Sequence, residues 1–164
     1  PRGFGELINL TWLDLEGNHL TEFPASIRCL NRLIQLNLRR NDLTELPPEI
    51  GGLESLTWLD LEGNQLTTLP PEIGNLTAVT ELHLSNNQLV ALPAEMGNLV
   101  DLVDLYISNN QLRDVPGSMS NLIHLESFYL SDNLLTDLPP EFSDLLNREI
   151  LYLAGNPFVH SLPE

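Results

Sequence analysis

Acid–base chemistry in this sequence would centre on His83, because carboxyl and hydroxyl side chains recur around it at regular spacing. Asp60 lies 23 residues before His83 and Asp104 lies 21 residues after it, with Ser85 and Ser108 nearby. A catalytic base works in a desolvated cleft where a third group orients it, whereas an open sheet is wet. The sequence also lacks HExxH, GxSxG, P-loop and paired CxxC motifs. We therefore expect no catalytic activity from this chain alone.

Binding of a divalent cation is the second chemistry to consider. Asp14, Asn37, Asp60 and His83 recur at intervals of 23 residues and would form one column across adjacent strands. Adjacent strands lie about 4.8 Å apart, and no motif with metal-ligand spacing supports such a site. We expect neither a metal nor a cofactor.

A repeat of 23 residues without insertion or deletion positions these side chains. Its first position is occupied by Leu10, Leu33, Leu56, Val79, Leu102, Leu125 and Arg148. A fixed period of this length is typical of a solenoid, in which each unit buries its apolar side chains against its neighbours.

Each unit combines two hydrophobic patterns. Leu59 and Leu61 alternate with Trp58 and Asp60, which predicts a short strand with one buried face. After the asparagine, apolar residues recur every third or fourth position, at Leu66, Leu69, Ile73 and Leu76, and Pro70 follows Leu69. Proline suits a first helical turn, whose N–H groups are unused. The second half of the unit is therefore predicted to be a turn followed by a helical or 3₁₀ segment.

An asparagine recurs in every unit at the point where the chain leaves the strand. A buried amide needs partners, and its carbonyl and N–H groups can satisfy backbone groups in its own and neighbouring coils. The sequence thus predicts a structural ladder formed by Asn18, Asn41, Asn64, Asn87, Asn110, Asn133 and Asn156.

The pattern L-x-x-L-x-L-x-x-N-x-L-x-x-L-P-x-x-I-x-x-L resembles the leucine-rich-repeat family over essentially the whole chain. The segment Leu69 to Leu76, L-P-P-E-I-G-N-L, is similar to repeats of Scribble- and Erbin-like scaffolds, plant Ras-group proteins, and bacterial Roco and effector proteins. The resemblance implies an α/β fold, a right-handed solenoid arc. Its concave side would carry a parallel sheet of about seven short strands, and its convex side turns and 3₁₀ or short helices.

The outward strand positions and the loop positions beside them would form the concave surface. Large aromatic and arginine side chains there suggest a partner-binding site, because Trp, Tyr and Arg dominate interface hot spots. Two alternatives stay open: aromatic side chains that only stiffen the sheet, and an internal charge network around the arginines. The predicted site comprises Trp12, Asp14, Glu16, Gln35, Asn37, Arg39, Arg40, Trp58, Asp60, Glu62, Glu81, His83, Asp104, Tyr106, Ser127, Tyr129 and Tyr152.

The formal net charge of −16 argues against a nucleic-acid partner, since phosphate binding needs basic side chains. All seven cationic residues are arginine, and acidic residues recur at outer positions such as Glu72 and Glu95. This acidity is typical of a solubilising coat. Alternatively, it steers a basic protein partner toward the surface.

Cys29 is the only cysteine, so no internal disulfide can form. The absence of flanking cysteine caps favours a reducing compartment. No apolar run is long enough to cross a membrane. We expect a cytoplasmic protein, or one exported into a host cell if it is an effector.

Continuous repeats predict one domain over residues 1–164. Pro1 occupies the phase of Pro24, so the chain opens within a unit, and we expect it to be a fragment of a longer protein. Arg148 and the longer spacing from Phe158 to Leu162 are read as an atypical terminal repeat.

Three roles are compatible with this pattern. The first is a protein–protein interaction module. The second is a substrate-recognition or regulatory domain of a larger enzyme, such as a ubiquitin ligase or a Roco GTPase–kinase. The third is self-association.

Overall fold

The structure, a computed structural model, describes residues 6–144 and 150–158. Seven strands of three residues each form one parallel sheet, in which the order of the strands follows the order of the chain. Paired residues on neighbouring strands are 23 positions apart, as in Leu36 and Leu59. The strands are β1 (Trp12–Asp14), β2 (Gln35–Asn37), β3 (Trp58–Asp60), β4 (Glu81–His83), β5 (Asp104–Tyr106), β6 (Ser127–Tyr129) and β7 (Ile150–Tyr152).

The middle residue of each strand enters a continuous core, as the alternating pattern predicts. Leu36, Leu59, Leu82 and Leu105 have no exposed surface. The core continues through the apolar residues of the return segments, including Ile73. Because one unit buries its side chains only against its neighbours, the solenoid is stable only as a stack.

Short 3₁₀ helices form the side opposite the sheet, which resolves the choice that the sequence left open. Pro70 is extended, with φ −68° and ψ 145°, and immediately precedes one helix. Its carbonyl accepts a hydrogen bond from the N–H of Ile73 at 3.0 Å, the i to i+3 pattern of a 3₁₀ turn. The helices span Ala25–Cys29, Pro48–Gly52, Pro71–Asn75, Ala94–Asn98, Gly117–Asn121 and Pro140–Asp144.

Neighbouring 3₁₀ helices approach so closely that some positions have room only for glycine. A Cβ atom added to Gly74 would lie 2.4 Å from the carbonyl oxygen of Glu95 in the next coil. At Gly117 the nearest atom would be a carboxylate oxygen of Glu141, 3.3 Å away at the end of a flexible side chain.

The recurring asparagines link consecutive coils through hydrogen bonds. Asn87 Nδ2 donates to the carbonyl of Leu84 at 3.1 Å and to that of Leu61 in the preceding coil at 3.0 Å. Asn87 Oδ1 accepts the N–H of Leu66 at 3.0 Å. Buried polar groups need such partners. The same three types of bond recur at Asn41, Asn64, Asn110 and Asn133, which are also buried.

The two ends of this ladder differ from its centre. Asn18 is exposed, and among the described residues its Nδ2 donates to the carbonyls of Leu15 and Glu16, both in its own coil. Asn156 makes the same three types of bond as the central asparagines, to Leu130, Leu135 and Leu153, but is only partly buried.

Cys29 is partly buried at the end of its helix. The predicted terminal features at Pro1, Arg148 and Leu162 lie outside the described residues. In the described part of the chain, no helix is both long and apolar enough to cross a membrane.

Candidate functional site

The face of the sheet turned away from the core carries the side chains that the sequence assigned to the concave surface. We call it the open sheet face. It consists of the first and third residues of each strand and the loop residues at repeat positions seven and eight. In the third unit these are Trp58, Asp60, Glu62 and Gly63. Its most exposed large apolar side chains in the described part of the chain are Trp12, 61% exposed, and Tyr152, 49% exposed.

Three residues expected on the accessible surface are instead buried. Asn37 and Ser127 are each 9% exposed, and Asp60 is 4% exposed. Alternation assigns them to the open sheet face, but their side chains are short and leave little exposed surface. Asp60 Oδ1 also turns back to accept the N–H of Glu62 at 2.8 Å. The expectation that these three residues are exposed is therefore wrong, and their contact with a partner stays a prediction.

An aromatic row crosses β3 to β7. We use this name for Trp58, His83, Tyr106, Tyr129 and Tyr152. Consecutive ring centroids from His83 to Tyr152 are 4.4, 4.6 and 4.7 Å apart, and their planes differ by 9°, 14° and 11°. Trp58 is tilted by 58° against His83, with centroids 5.8 Å apart.

The spacing of the row follows from the sheet. Adjacent strands lie about 4.8 Å apart, and this distance suits stacked aromatic rings. Because each inner ring covers the faces of its neighbours, the row presents ring edges and hydroxyl groups to solvent. The rings of this row are thus already stacked in the chain without a partner.

The first half of the open sheet face carries a charge network, one of the two alternatives that the sequence left open. Arg39 Nη2 lies 3.0 Å from Glu62 Oε1, and Arg40 Nη1 lies 3.6 Å from Glu16 Oε1. Asn37 Nδ2 also donates to Glu16. The arginine charges on this half are thus matched by acidic neighbours.

Arg40 has an unusual backbone, with φ +54° in the left-handed region. The corresponding residues of other units also have positive φ, but they are residue types that tolerate it. These are Gly17, Gly63, Asn86, Asn109, Asp132 and Gly155. Asn86 was not among the predicted site residues, yet its Nδ2 donates to Glu62 Oε1 at 3.1 Å. Its position directly after Ser85, where the chain turns, was the available signal.

His83 is held by Glu81 rather than by the aspartates considered from the sequence. Its Nε2 lies 2.7 Å from Glu81 Oε1. Ser85 Oγ accepts the backbone N–H of Ser108. The structure therefore does not assemble a serine–histidine pair at this point.

One cluster on this face has potential metal ligands. Single ligand atoms of Asp60, Glu62 and His83 lie within 4.8 Å of one another. Asp60 accepts the N–H of Glu62, the Glu62 carboxylate is paired with Arg39, and His83 is bonded to Glu81. Each candidate ligand thus already has a protein partner, and the cluster is explained as part of the charge network.

Two ionisable groups report the local environment. Burial raises the pKa of Asp60 above its usual value, and this effect outweighs the Glu62 N–H bond and the positive charges of His83 and Arg39. Desolvation raises the pKa of Tyr106, and the negative charge of Asp104 contributes next.

Comparison with known families gives two matches. The model described as "Leucine-rich repeat region" matches residues 1–81. The model described as "Leucine rich repeat" matches residues 54–112 and 101–158. No curated protein sequence matches the chain.

Solved structures with the same fold include a leucine-rich-repeat protein of Leptospira interrogans, 42% identical with a TM-score of 0.91. The match covers 96% of this chain and 40% of that one. A plant peptide hormone receptor, solved in complex with the peptide RGF2, is 32% identical with a TM-score of 0.86, over 95% of this chain and 26% of the receptor.

An internalin of Listeria monocytogenes shares the fold at 23% identity, with a TM-score of 0.78. The match covers 93% of this chain and 50% of the internalin. The chain thus spans half or less of the length of each of these structures.

Proposed function

The chain belongs to the leucine-rich-repeat family, and from this premise we propose that it is a protein-recognition module that binds its partner through the open sheet face. Domains of this family generally serve as non-catalytic binding modules in protein–protein interaction. Two parts of the proposal need support from this chain's own residues: the class of partner and the face that binds it.

The aromatic row is the observation that supports the proposal. Tyr and Trp side chains supply large contact areas at low cost in conformational entropy. In this chain the cost is lower still, because Tyr106 and Tyr129 are already stacked before binding. Their partial exposure leaves hydroxyl groups and ring edges available to a partner.

The similar plant receptor provides a parallel, since it was solved with a peptide hormone bound. We extend to this chain only the general idea that a repeat solenoid of this family binds a polypeptide. We further propose that residues 1–164 form one domain and that the module acts in a cytoplasm, its own or that of a host cell.

A second candidate role is substrate recognition or regulation within a larger enzyme. The chain's span of 26% to 50% of the similar structures is compatible with this role but does not favour it over the first. In that case the open sheet face would still bind the substrate protein, and the isolated chain would show no catalysis. Self-association is a third possibility, and light scattering would reveal it as a mass above 18.4 kDa.

Selection from a displayed library of random peptides tests the proposal. Peptides that bind the wild-type chain are selected, and their affinities are then measured for Trp58→Ala and Tyr129→Ala. Loss of a hot-spot side chain weakens binding by at least about 2 kcal/mol, or roughly thirtyfold. Val90→Ala is the control, because Val90 is a 48% exposed apolar residue in a loop away from the strands.

We expect most selected peptides to lose affinity with the aromatic-row variants and to bind Val90→Ala normally. Peptides that bind all variants equally would contradict the proposal. Urea unfolding of each variant establishes that weakened binding does not come from unfolding.

A further inference from the structure

The two halves of the open sheet face differ in how their charges are matched. On β1 to β3, Arg39 and Arg40 pair with Glu62 and Glu16. On β4 to β6, no arginine forms an ion pair with Glu81 or Asp104 in the described part of the chain. In the described part of the chain, the acidic strand residues of the second half therefore have no arginine partner, whereas two acidic side chains of the first half do.

The sequence around this second half has the same bias. Residues 81–132 contain seven acidic residues, and Arg113 is their single arginine or lysine. Arg113 lies in a loop, where it lines a surface depression of about 530 Å³ with Asp114 and Thr136. Arg113 is exposed and lies outside the strands.

Glu81 and Asp104 face each other across neighbouring strands. They are paired in register on β4 and β5. Each lies two residues before a member of the aromatic row, Glu81 before His83 and Asp104 before Tyr106. Like charges directly opposite each other destabilise a sheet unless a counter-charge relieves them. His83 contacts Glu81, but Asp104 contributes to the raised pKa of Tyr106, so its charge acts on the row.

Building on the proposed function, we infer that the segment recognised on β4 to β6 is a basic stretch of a protein chain, with an arginine or lysine placed between Glu81 and Asp104. The acidic pair would bind the charged head group. The stacked edges of Tyr106 and Tyr129 would pack against the aliphatic stem of the same side chain.

The geometry of the row decides between two modes of cation recognition. A cation over a ring face needs that face open, and the stacked inner rings cover one another's faces. Lys and Arg instead lay their methylene stems along apolar surface and keep the head group apart from it. The acidic pair beside a row of ring edges suits this second mode.

A direct test uses a fluorescent nonapeptide of alternating arginine and serine. The matched probe carries citrulline, a neutral isostere of arginine, in place of each arginine. Binding is followed by fluorescence anisotropy at fixed salt concentration, because exposed charges are screened by ions.

The test variant is Glu81→Gln with Asp104→Asn, and the control is Glu72→Gln with Glu95→Gln. Both remove two negative charges, but Glu72 and Glu95 lie in 3₁₀ helices on the opposite side of the solenoid. We expect the test variant to bind the arginine peptide about fivefold more weakly than wild type, and the control to differ by less than about twofold.

Equal losses in both variants would overturn the inference, because they would show general attraction to an acidic protein. Failure of the arginine peptide to bind wild type, or equally tight binding of the citrulline peptide, would overturn it too. The Tyr129→Ala variant distinguishes failure of the basic-partner inference from failure of the proposed function. If the citrulline peptide binds and loses affinity with Tyr129→Ala, the binding face stands and only the basic partner is wrong.

Discussion

The imidazole of His83 lies parallel to the phenol ring of Tyr106, with centroids 4.4 Å apart and planes 9° from parallel. The two residues are 23 positions apart and paired in register on β4 and β5. A repeat that places an aromatic side chain at the same position of successive units therefore builds a continuous stack. The stack can stabilise the sheet and bind a partner, and these two roles are separable by mutation.

Tyr106→Phe and Tyr106→Ala separate the two roles. Tyr106 stacks on two neighbours, so its replacement by alanine should destabilise the fold by about 1–3 kcal/mol, at 0.5–1.5 kcal/mol per contact. Phenylalanine preserves the stack and should leave urea unfolding unchanged while removing one hydroxyl from the binding face. If alanine and phenylalanine variants unfold alike, the stack contributes nothing to stability.

The asparagine ladder predicts that the stability lost on replacing an asparagine depends strongly on its position in the stack. Asn87→Ala leaves the buried N–H of Leu66 without its acceptor, whereas the carbonyl of Leu61 still accepts from Asn64. We expect a loss of about 2–4 kcal/mol in urea unfolding. Asn18→Ala is the matched control at the exposed first coil and should cost less than about 1 kcal/mol. Equal costs would show that links between coils add nothing.

Close packing of the 3₁₀ helices predicts a steric effect at Gly74. A Cβ there would meet the backbone carbonyl of Glu95 at 2.4 Å, so Gly74→Ala should destabilise by about 1–3 kcal/mol. Gly117→Ala, where only the flexible end of Glu141 is near, should stay within about 0.5 kcal/mol of wild type in thermal unfolding. A neutral Gly74→Ala would mean that the coils can separate without cost.

Burial of Asp60 predicts a specific pH dependence. Its folded pKa is raised above 3.8, so the folded chain holds this proton more tightly than the unfolded chain. The contribution of Asp60 to stability is therefore greatest below pH 3.8 and is lost as the pH rises through the folded pKa. Asp60→Asn should be more stable than wild type at neutral pH, with the difference shrinking in acid.

Asn37 shows that the site accepts this change, because its Oδ1 receives the N–H of Arg39 at 3.0 Å as Asp60 Oδ1 receives that of Glu62. Asp14→Asn, at the exposed equivalent position of β1, is the control. Denaturant unfolding across acidic to neutral pH measures both variants. A stability difference for Asp60→Asn that is constant with pH would contradict the assignment.

The fold was largely predictable, because a fixed 23-residue period determines both which residues form strands and which residues pair. Leu59 and Leu61 were predicted from alternation to lie on the buried face of their strand, and both are fully buried. Alternation could not show that Asp60 would be covered, because burial on an open face depends on the size and rotamers of neighbouring side chains. The close approach of Gly74 to the next coil likewise depends on how tightly the 3₁₀ helices pack.

The candidate site was predictable only as a set of positions. The 23-residue period gives Tyr106, Tyr129 and Tyr152 the same position in successive units, and the structure adds that their ring planes are nearly parallel. It also pairs His83 with Glu81, two residues apart on one strand, where the sequence directed attention to aspartates on neighbouring strands. Side chains at alternate positions of one strand share a face, so this pair follows from the same rule once rotamers are known.

The most direct measurement of the central claim is NMR of the chain labelled at tyrosine rings and valine methyl groups, titrated with a peptide selected for binding. All three tyrosines of the sequence belong to the aromatic row, so their ring signals report on the open sheet face alone. Val90 and Val100, which are 48% and 43% exposed in loops, report on other surfaces. We predict that the signals of Tyr106 and Tyr129 shift on binding while those of Val90 and Val100 stay in place. Shifts confined to the valines, with unchanged tyrosine signals, would contradict the claim that this face binds the partner.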